Sequence, residues 1–369
     1  MALLANIPNP QARMAELEHQ LELGETLVLF EGLADTYPPL RRLAARELAH
    51  NLTPEFEDYL RALVRGEEAF QEAADTGLPA DLFLTPSPEV RSAAVVALRG
   101  SEHPATVAAL MDAARSEDAD IRYHALVSLH HVPVDEARLR PLVEESLNDE
   151  DPEVVIVAAQ LATHAGWHDL LPHLERLRSR FSGQEDLQIV FSIAELIGAA
   201  RKDGIEVPDA LVRPIVDRCM EALGDEPTTA AASHALATLG DPRATEALEA
   251  VLDKWMTHPI LKVGAAAALV ELGHDRGREY LTKTLQSRRK DARGYALRIV
   301  GKLHMKEHLD ELIRVARSDD YHADTAVLAL CDMDGPEALE TLRKISKTHP
   351  EDEVRELALR CLRGEEPAT

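Results

Sequence analysis

Residues 87–100 read SPEVRSAAVVALRG, and residues 351–364 read EDEVRELALRCLRG. Each places E-V-R near its start, follows it with small and apolar residues, and closes on L-R-G. Two segments more than 260 residues apart that share this order are copies of one unit, so periodicity is the first property to establish. With the Val of E-V-R as anchor, Val90 is followed 31 residues later by Ile121. Val154 and Leu187 come at steps of 33. A weaker copy, PTTAAASHALATLG, covers 227–240. Leu261, Ala292 and Val354 continue the series, with a degraded copy near HADTAVLALCDM between the last two. Leu40-Arg41 marks an earlier copy. The chain therefore holds about ten units.

Each anchored segment is amphipathic at helical spacing. Val90, Ala93, Ala94 and Ala97 fall at i, i+3, i+4 and i+7, one face of a helix. The small Ala residues let a neighbouring helix come close. Asp, Ser or Pro precedes the anchor, where a side-chain cap or a first-turn Pro belongs. Gly closes LRG, ELG and IVG, where a left-handed C-cap is expected. Between anchors lies a second helix, as in PATVAALMDAARSED and DPRATEALEAVLDKW. Neither helix of such a pair buries its stripe alone, so successive pairs must stack.

Composition agrees. The 369 residues are 45% hydrophobic and 28% charged, as in a folded chain, and only 4% aromatic. Sixty-five acids against 40 bases leave a net charge of −25, which repels nucleic-acid phosphates and anionic headgroups. Cys219, Cys331 and Cys361 lie far apart, without a CxxC pair, and any one disulfide leaves a cysteine over. That pattern reads as reduced thiols in a cytoplasmic protein. The first 20 residues have no basic region and no long apolar core, so no signal peptide is expected. No run of 18 apolar residues exists to span a membrane.

The anchors Val90-Arg91, Ile121-Arg122, Ala292-Arg293 and Val354-Arg355 carry a resemblance. With them go the pairs Ala97-Leu98 and Ala235-Leu236 and the closing Gly240 and Gly273. The pattern resembles HEAT repeats, in the short bacterial form also seen in phycobilin lyases. That resemblance implies an all-α fold, a curved right-handed α-solenoid of about ten HEAT-like helix pairs with the anchored helices on the concave side. It also implies that the Arg after the anchor forms a ladder with acids of the adjoining turn, here Asp120, Asp291 and Glu353. It covers residues 85–364 well and 20–84 poorly.

The spacing breaks twice. Leu40 to Val90 is 50 residues, in which PEFEDYLRALVRGEEAFQEAADTG reads as one long charged helix and LPADLFLTPSP as a Pro-rich turn. Leu187 to Thr229 is 42 residues, with AARKDGIEVPD read as an extended loop and 200–208 as an insertion. The expected organisation is an N-terminal helical capping region with a divergent first repeat over 1–84, a repeat array over 85–364 and a frayed tail over 365–369.

Candidate chemistry is sparse. THAGWHDLLPHLERL offers His164, His168, Asp169 and His173, but Gly166 marks a turn between the first two, and no further ligand is evident. Deoxyhypusine hydroxylase, a HEAT-like enzyme, holds iron with His-Glu dipeptides; none of the 16 His here precedes Glu. Asp332, Asp334 and Gly335 begin like a calcium loop but lack its later ligands, and a helix start at Pro336 is the simpler reading. Cys219 and Cys361 sit in apolar helical contexts that favour burial. No catalytic group, metal or cofactor is expected.

Two features set individual copies apart. Residues 276–306, with Arg288, Arg289, Lys290, Arg293 and Arg298, carry +8 in a chain of −25. They would bind an acidic partner or balance charge between acidic repeats. In the middle, PEVVIVAAQLA and LQIVFSIAELIGAA lose amphipathicity, and Val155 replaces the usual Arg. Val155, Ile156, Ala159, Gln188 and Ser192 would line an apolar concave groove for a partner helix, or the two helices would be enclosed by their neighbours. The expected function is a non-catalytic scaffold or adaptor that binds a protein or peptide on its concave face. The alternatives are a lyase-type enzyme or subunit acting on a bound chromophore or prosthetic group, and a nucleic-acid binder using 276–306. The net charge disfavours the last.

Overall fold

A computed structural model describes residues 3–66, 86–318, 321–333 and 335–364 of the chain. Every regular element among the described residues is a helix, and they fall into two compact units, 1–181 and 182–369. The first unit contains α1 (Pro10–Glu22), α2 (Val28–Leu33), α3 (Pro38–His50), α4 (Pro54–Arg65), α5 (Pro88–Ala97), α6 (Pro104–Ala113), α7 (Ala119–Leu129), α8 (Glu136–Ser146), α9 (Pro152–His164) and α10 (Leu171–Arg178). The second contains α11 (Gly183–Lys202), α12 (Asp209–Ala222), α13 (Thr229–Leu239), α14 (Thr245–Asp253), α15 (Pro259–Glu271), α16 (Asp275–Leu285), α17 (Lys290–Lys302), α18 (Leu309–Arg317), α19 (Ala323–Asp332), α20 (Pro336–Thr348) and α21 (Asp352–Arg363).

The helices pair and stack as the repeats require. In the first unit α3, α5, α7 and α9 pack side by side in one layer, and α4, α6 and α8 back them. In the second, α11, α13, α15, α17, α19 and α21 form the corresponding layer. The fold is an all-α solenoid of helix pairs. The anchors Leu40, Val90, Ile121, Val154, Leu187, Ala292 and Val354 are all buried at the centre of these contacts. Leu261 is only half-buried, and Val263 takes its interior place.

Local chemistry explains where the layer helices begin. The side chains of Ser87, Asp118 and Asp151 each accept a hydrogen bond from the backbone N–H of the anchor three residues on, Val90, Ile121 and Val154. One residue thus caps the helix and sets the phase of its buried stripe. Pro fills the first helical position of α3, α5, α9 and α15, where no N–H is needed.

The ends differ in one instructive case. Gly240, Gly273 and Gly364 close their helices at positive φ, as LRG- and ELG-type endings predict. Gly301 of IVG does not. It lies inside α17, and His304 takes the positive φ further on. A Cβ on Gly301 would sit 2.6 Å from the Cα and carbonyl oxygen of Ala329, so the glycine is there for contact between α17 and α19. Gly301→Ala is expected to cost about 1–3 kcal/mol through overpacking. Gly264→Ala in α15, with nothing within 4 Å of the new methyl, is expected to gain up to about 1 kcal/mol from helix propensity. Thermal melts of both variants check the pair, and equal effects would remove the close-contact explanation.

Both spacing breaks turn out differently from the sequence reading. The long charged helix ends at Arg65, because Gly66 adopts a left-handed cap at φ 70°. The rest of that stretch through residue 85, like the tail 365–369 and Asp334, lies outside the described residues. In the second break, α11 runs 20 residues to Lys202, so most of the extra length is helix and only 203–208 connects it to α12. Gly198 on α11 meets Thr238 of α13, which is why a long helix packs there without a bulky residue.

Cys331 on α19 and Cys361 on α21 form a disulfide with Cα atoms 5.7 Å apart. This corrects the expectation of unpaired thiols: 30 residues of separation is one repeat step, and the stack brings equivalent positions of adjacent layer helices together. Cys219 is buried and takes no part in the disulfide. Among the described residues no helix is long and apolar enough to cross a membrane.

Candidate partner-binding surface

The cation after the anchor has a structural role that repeats along both units. Arg41 donates to the Asp35 carbonyl, Arg91 to Val64, Lys262 to Leu252, Arg293 to Leu285 and Arg355 to Pro350. Arg122 donates to the carbonyls of Ser116 and Glu117, both at 2.9 Å. These acceptors lie in the last turn of the preceding helix or just beyond it, where carbonyls lack helical partners. A ladder therefore exists, but its rungs are mainly backbone carbonyls rather than Asp120, Asp291 and Glu353. Two of these cations also meet an acid: Arg122 grips both oxygens of Asp149 at 2.7–2.8 Å, and Arg355 pairs with Asp352. Burial works against the Asp149 carboxylate, but the Arg122 guanidinium and the Asp151 N–H outweigh it and hold its pKa below the ordinary value.

Val155 breaks the ladder, and the fold compensates locally. Arg180, beyond α10, donates to the Asp149 carbonyl at 2.9 Å from another direction. Released from capping, position 155 turns apolar and fully buried.

The predicted groove is therefore not assembled as the sequence reading drew it. Val155 and Ala159 are 0% exposed and Ser192 is 4% exposed, its hydroxyl donating to the Gln188 carbonyl. These three side chains are interior, because α9 and α11 are enclosed by the helices packed on them. Ile156 is half-buried and Gln188 is exposed. The first three residues of the set belong to the first unit, and Gln188 and Ser192 to the second.

The basic segment divides into two groups. Arg276 pairs with Glu249 and Asp253, Arg278 with Glu307, and Arg298 with Asp332 and the Leu328 carbonyl. These charges join neighbouring repeats, as the charge-balancing reading expects. Arg288, Arg289 and Lys290 instead stand exposed in the turn that enters α17. The Lys290 ammonium lies 4.3 Å from the ring centre of Tyr321, itself 72% exposed.

Arg289 also borders a cleft of about 530 Å³ between the α14–α15 turn and the α16–α17 turn. Trp255, Lys262, Tyr280, Lys283 and Gln286 line it with Arg289. Trp255 is 86% exposed and Met256 73%. Sequence reading missed both, although KWMTH breaks the polar character of a turn and was a usable signal. Burial pushes the Tyr280 phenol pKa up, so this group stays a neutral donor at the cleft wall. A separate groove between α19 and α21 is acidic, lined by Asp324, Glu351, Glu353 and Glu356 with Tyr321 at its edge.

The histidine-rich segment behaves as a turn. Gly166 has φ 70°, and His164 stacks on His130 with ring centres 4.6 Å apart. Burial lowers the His130 pKa first, and the His164 and His131 charges add to that, so a neutral ring is favoured. Among the described residues no three His, Cys, Asp or Glu side chains are grouped to hold a metal ion.

Comparison with known proteins agrees with this architecture. The HEAT repeat model matches residues 81–164 and 278–363. These two stretches are HEAT repeats, built of the helix pairs described above. No curated protein sequence matches it. Among solved structures it is similar to the karyopherin Kap121p, at 15% identity and a TM-score of 0.45, over 97% of this chain and 43% of that one. Importin beta gives 16% and 0.38, over 95% and 52%. Human deoxyhypusine hydroxylase gives 20% and 0.30, over 84% and 98%. The chain thus spans about half or less of the length of Kap121p and importin beta.

Proposed function

We propose that this chain is a non-catalytic scaffold that captures an acidic segment of a partner protein at the Trp255–Arg289 cleft. The observation that carries the reading is Trp255: an indole 86% exposed at the mouth of a cleft whose walls bear Lys283 and Arg289. Leaving an indole in water forgoes its burial energy, and Trp and Arg are the residues that dominate binding hot spots. Arg288, Arg289 and Lys283 would steer an acidic segment, and the excess of acids elsewhere on the chain would repel it from wrong positions. A lyase-type activity or a nucleic-acid site has no comparable feature in its favour.

Affinity capture with the full chain, followed by titration of the captured partner, tests this. Trp255→Ala and Arg289→Glu are each expected to weaken binding by at least tenfold, about 1.4 kcal/mol, with helicity unchanged. Higher salt is expected to slow association. A partner that binds both variants as well as the parent would refute the assignment.

A further inference from the structure

The first unit holds a second, unrelated cleft, which shares no residue with the Trp255 surface and does not depend on that reading. It occupies about 680 Å³ on the layer formed by α3, α5 and α7, a volume in the range of small-molecule sites. Its floor is Ala45, Ala49, Ala93 and Val96. Arg42, Arg46 and His50 recur every four residues along α3 and so share one side of it. Arg99 enters just beyond the end of α5, and His124 from the middle of α7.

Two atoms in this cleft are out of place. The Nε of Arg99 and the Nδ1 of His124 are buried without a hydrogen-bond partner. Buried polar atoms are nearly always satisfied, and a guanidinium N–H left alone is among the costlier exceptions. The anchor cations of the ladder all find carbonyls, so the fold can satisfy an Arg where it needs to. The cleft does contain acids, and Asp120, one turn before His124 on α7, acts on that ring through space, yet neither acid hydrogen-bonds these two atoms. Glu89 accepts from the Ser87 hydroxyl at 2.6 Å at the start of α5, and Asp120 is exposed in the first turn of α7. Arg46, itself exposed, pairs with the half-buried Glu47 beside it on α3.

We infer that this cleft binds an organic oxyanion, a carboxylate or phosphate held by Arg99, His124 and Arg46 with an apolar body lying on Ala45, Ala49, Ala93 and Val96. A guanidinium offers paired N–H donors that match either oxyanion, and a neutral imidazole donates one more. The Ala floor is shallow enough to admit a short alkyl or flat aromatic body.

Calorimetric titration of the full chain with hexanoate, hexyl phosphate and hexylamine tests the inference, with thermal melts alongside. Either anion is expected to bind saturably and raise the melting temperature, and hexylamine is expected to do neither. The better anion identifies the head group. Arg99→Gln and His124→Gln are each expected to weaken that binding at least tenfold. Arg46→Gln, at an exposed position that leaves the core intact, is expected to weaken it severalfold and keeps the test valid if either buried variant misfolds. No binding of either anion at about 5 mM, equal binding of hexylamine, or unchanged affinity in Arg46→Gln and Arg99→Gln would overturn it.

Discussion

Val155→Asp is expected to unfold the α8–α9 region of the first unit. Val155 is 0% exposed, and the carboxylate would enter an apolar interior. Arg180, the nearest compensating cation in the ladder, is already committed to the Asp149 carbonyl. Losing the valine's burial and inserting an unpaired charge together cost about 4 kcal/mol or more. Ile156→Asp, one position along at a half-buried site, is expected to cost only about 1 kcal/mol. Repeat arrays open locally, so hydrogen exchange in α8 and α9 is the sensitive readout beside circular dichroism. If the two variants proved equally stable, position 155 would have to be a surface position.

Removing the disulfide is expected to have the next largest effect. Cys331→Ser with Cys361→Ser frees a loop spanning 30 residues of sequence, for which chain entropy predicts about 3.5 kcal/mol of lost stability. The loss should concentrate in α19 to α21, the helices that the bond joins and encloses. Both cysteines are half-buried, so a mild reductant should reproduce the variant. Limited proteolysis with and without reductant reads this directly: release of the last helix pair only on reduction is the expected outcome. Identical cleavage patterns would mean that stacking alone holds the end of the array. The buried Cys219 supplies an internal control, since its thiol should resist labelling in both states.

The architecture was legible because several repeats obey the same local rules. A cap such as Ser87, Asp118 or Asp151, an anchor three residues on, and small residues at helical spacing are all short-range in sequence. The phase of each layer helix follows from them. The division of the basic segment into structural and exposed cations was not legible. Arg278 and Arg289 look alike in sequence, but Glu307 meets the first across a repeat, and the second faces a cleft. The anchor Arg was misjudged for a similar reason: its acceptors are backbone carbonyls, which every sequence contains and none advertises.

The functional candidates depend still more on packing. The apolar stretch around Val155 reads the same whether it lines a groove or fills a core, because periodicity reports apolar faces and not what covers them. The Arg99–His124 cleft draws on three helices whose members are up to 86 residues apart, from Pro38 to His124. Cys331 and Cys361 approach one another only because one repeat step separates them in a stack. The sequence by itself determined the helix pairs, their number and their order, since those follow from local capping and a 3.6-residue stripe. Only the tertiary structure decided which apolar residues are core, which cations are free to bind and which cysteines meet, since burial and pairing are properties of neighbours brought together by stacking.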